Sequence, residues 1–178
     1  MNKWLKTTTL LSTAAILGSA AVYTSSASAA STGKTIHWTD SADLTTMDGS
    51  KATDVVAFNA LTATGDGLYR NDKNGDAKLS MAKSVDVSDD GLTYTFHLKD
   101  GLKWSNGDAL TAQDFVYSWQ RTNDPDTASE YAYLFSGIKN ADAIQAGEKD
   151  KSELGVQATD DTTLVVTLEK QMPQLKAE

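Results

Sequence analysis

Closely spaced turn signals limit what this 178-residue chain can fold into. Between residues 74 and 161 the sequence repeatedly presents dipeptides of the kind found in tight turns. They are Asn74-Gly75, Asp90-Gly91, Asp100-Gly101, Asn106-Gly107 and Asp160-Asp161. The segments between them, such as residues 93–98 and 163–168, are short and rich in β-branched and aromatic residues. The pattern predicts short antiparallel hairpins.

Helical patterns accompany the hairpins. Thr111 and Asp114 have the spacing of a capping box. The apolar residues that follow them at helical spacing are Ala112, Phe115, Val116 and Trp119. Asp54 can cap another helix over residues 55–62, and the residues expected on its apolar face are Val55, Phe58 and Leu61. With a short strand at residues 35–39 and a short helix near residues 140–146, the predicted class is α+β.

The N-terminal segment has the three-part pattern of a secretory signal peptide. Residues 1–6 are basic, residues 10–22 are mostly apolar, and Ala27 and Ala29 place small residues before a cleavage site. The alternative is an uncleaved membrane anchor, but a spanning helix needs roughly 20 apolar residues. The pattern predicts a signal peptide at residues 1–29, cleavage after Ala29 and export of the remaining chain.

Charge and cysteine content exclude several classes of function. The chain has 16 basic and 24 acidic residues, a formal net charge of −8, and no cysteine. A protein that binds nucleic acid or anionic membranes needs a basic face, and this balance argues against one. Without cysteine, these residues form no disulfide, thiolate metal site, cysteine nucleophile or thioether-linked lipid.

No catalytic or metal-binding motif is complete in the sequence. Residues 72–76 imitate the start of a calcium loop, but Ala77 and Lys83 stand where such a loop requires glycine and glutamate. His37 and His97 have no carboxylate at a ligand-like spacing, and no Gly-x-Ser-x-Gly motif is present. We therefore expect no enzyme, no bound metal and no cofactor.

Aromatic residues are concentrated in the middle of the chain. Phe115 and Trp119 have the helical spacing expected of core residues. Tyr131 and Tyr133 stand in a loop-like segment. The sequence leaves two interpretations open for these tyrosines, a place in the core or in the wall of a pocket for a partly apolar ligand.

A long stretch of the sequence resembles one protein family. Residues 98–108 read LKDGLKWSNGD, and residues 110–121 read LTAQDFVYSWQR. The resemblance continues through residues 124–131 and 154–168, and altogether it spans about residues 35–170. These motifs are similar to those of the oligopeptide-binding proteins of ABC importers, the family 5 extracellular solute-binding proteins.

The resemblance implies both a fold and a function. Members of the family are two-lobed clamps of the periplasmic-binding-protein type II kind, which enclose an extended peptide and deliver it to an ABC permease in the membrane. Such recognition combines backbone hydrogen bonds with roomy, wet pockets for side chains. The implied protein binds oligopeptides and is exported to the cell envelope, periplasmic or extracellular, without a lipid anchor.

Four residues of this sequence match peptide-binding positions of the family. The family binds the peptide main chain with an extended segment after its first strand, and Thr53, Asp54 and Val55 occupy that position here. A pocket tyrosine of the family matches Tyr131. The aspartate that pairs with the peptide amine in the family belongs to the second lobe, which has no counterpart in this sequence.

The resemblance also implies how the chain is divided. Residues 30–65 are expected to be the opening segment of an incomplete large lobe, and residues 66–178 the small lobe, with a divergent tail from about residue 170. We therefore expect a truncated chain that is impaired in peptide binding. The alternative is a small secreted surface or interaction protein derived from the small lobe.

Overall fold

The computed structural model describes residues 37–172 and Leu175. The chain divides into two units, residues 1–38 and 39–178, and only His37 and Trp38 of the first unit are described. The proposed signal peptide therefore lies outside the described residues. Within the strand predicted at residues 35–39, residues 37–39 adopt no regular structure. The domain boundary proposed at residue 65 stays a prediction.

Short helices and short strands make up the described part of the second unit. In chain order they are α1 (Val55–Thr64), β1 (Tyr69–Asn71), β2 (Ala77–Leu79), β3 (Ala82–Val87), β4 (Thr93–Leu98), α2 (Ala112–Asn123), α3 (Ala141–Gln145), β5 (Val156–Asp160) and β6 (Thr163–Thr167). Single turns of 3-10 helix lie at Pro125–Thr127, Ala132–Phe135 and Lys151–Glu153. The predicted α+β class with antiparallel hairpins is confirmed.

A four-stranded antiparallel sheet organises this unit, with the strand order β3-β4-β6-β5. The hairpins β3–β4 and β5–β6 turn where the sequence predicts them, and β1 and β2 form a separate hairpin. β4 pairs with β6 in a register that sets Tyr94 opposite Val166 and Phe96 opposite Leu164. The chain thus leaves the sheet after β4 and returns at the outer edge with β5, and β6 then closes against β4.

The hydrophobic core forms on one face of this sheet. Alternation along β4 places Tyr94, Phe96 and Leu98 on the buried side, as the sequence predicts, and the side chains of Phe96 and Leu98 are fully buried. Residues from β6 and from the helices that belong to the same cluster are Leu164, Val166, Ala112, Val116, Ala141 and Ile144. Burial of apolar surface at about 25 cal/mol per Å² makes this cluster the main source of stability.

Helix α2 begins at its predicted cap. The carboxylate of Asp114 accepts a hydrogen bond from the backbone N–H of Thr111 at 2.7 Å, which satisfies a group that the helix itself leaves unpaired. Phe115 and Trp119 pack against the core while remaining partly exposed. With 12 residues, α2 is the longest helix among the described residues, and none of those helices is long and apolar enough to cross a membrane.

Helix α1 begins where the sequence predicts it but buries a different face. The expected packed face consists of Val55, Phe58 and Leu61, whereas the buried residues are Val56 and Ala57. Val55 is 63% exposed and Phe58 is 39% exposed. Because apolar residues occur on every side of this helix, their spacing does not single out one face, and contact with the rest of the unit decides which face is buried.

Three segments meet closely at Gly155. Its backbone N–H donates to the carbonyl of Lys139 at 2.8 Å, and its carbonyl accepts from the N–H of Thr167 at 2.7 Å. A Cβ atom at this position would lie 2.6 Å from Lys139 Cβ and 2.7 Å from the carbonyl oxygen of Thr167. Glycine is therefore required here for the close approach of neighbouring backbones.

We predict that Gly155→Ala lowers the free energy of unfolding by about 1–3 kcal/mol, the usual cost of overpacking. Gly49→Ala is the matched control, since a Cβ there has no neighbour within 4 Å. The control should change stability by less than about 0.5 kcal/mol. Urea denaturation followed by circular dichroism measures both variants, and equal stability of the two would contradict the close approach at Gly155.

Candidate functional site

A cleft of 490 Å³ opens beside α1, α2 and the segment of residues 129–135. We call it the Tyr131 cleft. Apolar and hydroxyl-bearing side chains line it, and its charged lining residues are Asp48 and Arg121. Its other lining residues include Ser50, Phe58, Thr122, Ser129, Tyr131 and Leu134.

Tyr131 lies against helix α1. Its ring meets the ring of Phe58 edge to face at a centroid distance of 5.7 Å, an arrangement that aromatic pairs favour. The ring of Tyr133 lies 6.0 Å from that of Tyr131 on the open side, where Tyr133 is 60% exposed. Since Val55 precedes Phe58 by one helical turn, the structure brings the start of α1 and Tyr131 to the same side of the unit.

The three residues of the segment Thr53–Val55 differ in their contacts and exposure. The Asp54 carboxylate accepts from the Ala57 N–H at 2.9 Å and from the Thr45 hydroxyl at 2.5 Å. The hydrogen bond from Thr45, followed by that from Ala57, lowers the pKa of Asp54. Asp54 is thus engaged as the cap of α1, whereas Thr53 and Val55 are exposed. Contact of these residues and Tyr131 with a peptide stays a prediction.

An ion pair that sequence reasoning missed lies at one side of the cleft. Arg121 on α2 donates from both terminal nitrogens to Asp48, at 2.7 Å to Oδ1 and 2.5 Å to Oδ2. The hydrogen bond from Arg121 is the main cause that lowers the pKa of Asp48 to about 2, and the same contact raises the pKa of Arg121. Ser50 Oγ lies 2.8 Å from Thr122 Oγ1 nearby. Because 73 residues separate the ionic partners, no local pattern indicates the pair.

Side-chain amides hold the 129–135 segment in place. Asn123, which is 1% exposed, donates to the carbonyl of Trp119 at 2.9 Å. Gln145 on α3 donates to Asn123 Oδ1 at 2.7 Å and to the carbonyl of Ala132 at 2.9 Å. Because these bonds are shielded from water, they hold the 3-10 turn that follows Tyr131 against both helices.

The other polar motifs of the sequence have structural partners. His97 on β4 places Nε2 3.0 Å from Asp86 Oδ2 on β3. The carboxylate of Asp72 accepts from the N–H groups of Asn74 and Asp76, so residues 72–76 form the turn between β1 and β2. Across residues 37–172 and 175, no group of three or more histidine, aspartate or glutamate side chains could hold a metal ion.

Several known proteins are similar to this chain in sequence. A family model described as "Bacterial extracellular solute-binding proteins, family 5 Middle" matches residues 76–177, a range that includes the tail after residue 170. A dipeptide-binding protein of Lactococcus lactis subsp. cremoris is 47% identical over 143 residues, which cover 80% of this chain and 26% of that protein. The probable deoxycholate-binding periplasmic protein YgiS of Escherichia coli is 45% identical over 130 residues, covering 72% and 24%.

Solved structures share its fold. The structure titled Listeria monocytogenes OppA bound to peptide superposes with a TM-score of 0.73 at 47% identity, covering 75% of this chain and 26% of that one. The chain spans about a quarter of the length of the relatives it matches.

We predict that Asp48→Asn weakens the dependence of stability on acid pH. Since the folded-state pKa of Asp48 is about 2, against an ordinary value of 3.8, the ion pair stabilises the fold above pH 3.8. That contribution is lost as the pH falls towards 2, because the unfolded chain takes up the proton first. The variant should be less stable by about 1 kcal/mol at pH 7 and lose stability less steeply below about pH 4.

Urea denaturation at a series of pH values measures this difference. Asp89→Asn is the matched control, since it removes the same charge from an exposed turn residue. Parallel pH profiles for native chain and Asp48→Asn would show that the ion pair does not stabilise the fold.

Proposed function

The chain belongs to the bacterial extracellular solute-binding proteins of family 5, and we propose that it forms part of the oligopeptide-binding site of an ABC importer. This family consists of transport binding proteins and not of enzymes. The observation that carries the proposal is the contact of Tyr131 with Phe58, near the start of α1, at one cleft. Two of the relatives, a dipeptide-binding protein and OppA bound to peptide, support the ligand class.

The backbone before α1 suits a bound peptide. Asp54 has φ −119° and ψ 159°, an extended conformation of the kind that pairs with an extended main chain, while its carbonyl accepts from the Phe58 N–H at 3.1 Å. Its carboxylate holds this geometry by capping the helix, so peptide contact falls to the backbone of Thr53–Val55 rather than to the Asp54 side chain. Tyr131 then provides an aromatic wall for a side chain of the same peptide.

We expect these residues alone to bind a peptide only weakly. Val55, Tyr133 and Leu134 are 63%, 60% and 58% exposed, so a peptide on this side keeps its other side in water. Association costs translational and rotational freedom, which only a well-enclosed ligand recovers. We expect dissociation constants weaker than about 1 μM, a binding free energy smaller than about 8 kcal/mol.

The same exposed side chains favour one alternative. A contiguous apolar surface on a secreted protein is typical of an interaction site, so the chain could act as a surface or interaction protein. A monodisperse, cooperatively folding product with a specific protein partner and no peptide binding would favour this alternative. The main proposal also includes three further expectations. The chain is exported through residues 1–29, carries no cysteine-linked lipid, and delivers its peptide to a permease in the membrane.

We predict that Tyr131→Ala raises the dissociation constant for tetra-alanine about 5- to 30-fold, the effect of losing about 1–2 kcal/mol of aromatic contact. Tetra-alanine is chosen because it offers a main chain without large side chains. Titration of the isotopically labelled 178-residue chain, followed by NMR chemical shifts, measures millimolar affinities. The shifts should concentrate at residues 53–58 and at Tyr131.

Tyr117→Ala is the matched control for this experiment. Tyr117 lies on α2, is 66% exposed and does not line the Tyr131 cleft, so its removal should leave the dissociation constant unchanged. Deoxycholate serves as a comparison ligand because of the relative named for it. Shifts spread evenly over the surface, equal effects of both tyrosine variants, or stronger binding of deoxycholate would each oppose the proposal.

A further inference from the structure

The sequence contains two asparagine–glycine pairs, Asn74-Gly75 and Asn106-Gly107, and both lie in turns of the same kind. In each turn the glycine N–H donates to the carbonyl three residues earlier, at 3.0 Å for Gly75 and 2.9 Å for Gly107. The φ angles of the two glycines are 88° and 93°, in a region that glycine adopts without strain. Both asparagines are exposed. The two turns differ in what the asparagine side chain contacts.

The side chain of Asn106 is held at both ends by Asp108. Its Nδ2 donates to Asp108 Oδ2 at 2.7 Å, and its Oδ1 accepts from the Asp108 N–H at 3.0 Å. The first of these bonds goes to a carboxylate, which makes it stronger than a hydrogen bond between neutral groups. The amide of Asn106 must therefore break both bonds before its carbon can approach the backbone nitrogen of Gly107.

The side-chain amide of Asn74 has no hydrogen-bond partner among residues 37–172 and 175. The cause is Asp72, whose carboxylate accepts from the N–H of Asn74 at 2.8 Å and from the N–H of Asp76 at 3.1 Å. Asp76 is the counterpart of Asp108, so the N–H group that binds the asparagine oxygen in the other turn is already used here. The Asp76 carboxylate lies 3.7 Å from Lys78 Nζ instead. No side-chain bond holds the Asn74 amide away from the main chain.

We propose that Asn74 is a site of spontaneous deamidation in the folded chain, and that Asn106 in the matching turn is protected. The backbone nitrogen of Gly75 loses its proton and attacks Asn74 Cγ. A bond forms between these two atoms, the bond from Cγ to Nδ2 breaks, and ammonia leaves with the proton. Water then adds to one of the two carbonyls of the succinimide ring and opens it to aspartate or isoaspartate. Glycine allows this ring to form because it has no side chain to obstruct the approach.

The test compares the two asparagines within one molecule, so that each serves as the reference for the other. The 178-residue chain is incubated at neutral pH, and peptide mass spectrometry follows the reaction at each position. We expect Asn74 to deamidate about 5- to 30-fold faster than Asn106, the factor that corresponds to the hydrogen bonds of the Asn106 side chain. Part of the product at residue 74 should be isoaspartate, which the succinimide route gives and direct hydrolysis of the amide does not.

Two controls assign the difference to the folded turns. In concentrated urea both environments are lost, and the two asparagines should react at similar rates. Asp108→Ala removes the carboxylate that holds Asn106 and should raise the rate at Asn106 several-fold while the rate at Asn74 stays the same. Asp89→Ala, which removes an exposed aspartate from a different turn, is the matched control and should change neither rate. Circular dichroism in urea verifies that both variants fold.

Several results would overturn the proposal. These are equal rates at the two asparagines of the folded chain, a faster reaction at Asn106, or no isoaspartate at residue 74. A difference that persists in urea would assign it to the local sequence and overturn the protection by the turn. Neither asparagine lines the Tyr131 cleft, so these measurements are independent of the proposed function.

Discussion

The pairing of β4 with β6 is the constraint on which the rest of the unit depends. Phe96 lies opposite Leu164 in this pair, and both side chains are fully buried. The pairing closes residues 99–162 into a loop, and that loop contains α2, α3, β5 and the segment that carries Tyr131. Because the entropy cost of closing a loop grows only slowly with its length, apolar burial at two central strands can offset it. Without this closure, the walls of the Tyr131 cleft would not come together.

The second constraint is the attachment of the segment before α1 to α2. Residues 39–54 belong to neither sheet, and two contacts hold this segment to α2: Asp48 with Arg121, and Ser50 with Thr122. They set where α1 begins, and so where Phe58 meets Tyr131. The ion pair is partly shielded and doubly hydrogen-bonded, which makes it stronger than an ordinary surface pair. One interaction thus positions a wall of the cleft and also neutralises its charges.

The distribution of satisfied polar groups decides what chemistry the cleft offers. Asp54 is used as a helix cap, and Asp48 and Arg121 satisfy each other, so a chain with net charge −8 presents a nearly neutral cleft. Under the proposed function, recognition at this cleft relies on backbone groups and aromatic surface. Binding of this kind suits a carrier of uncharged or varied ligands, and it agrees with membership in a family of solute-binding proteins.

By itself, the sequence determined those features that depend on near neighbours. Turn dipeptides, strand alternation in β4, and the caps at Asp54 and Thr111 involve residues a few positions apart, and each appears as predicted. The family motifs also indicated Tyr131 as a peptide-binding residue; Tyr131 lines a cleft, and its contact with a peptide stays a prediction. Only the tertiary structure decided which face of α1 is buried and which group pairs with Arg121. These features depend on contacts between residues distant in the chain, and such contacts exist only after the sheet has closed.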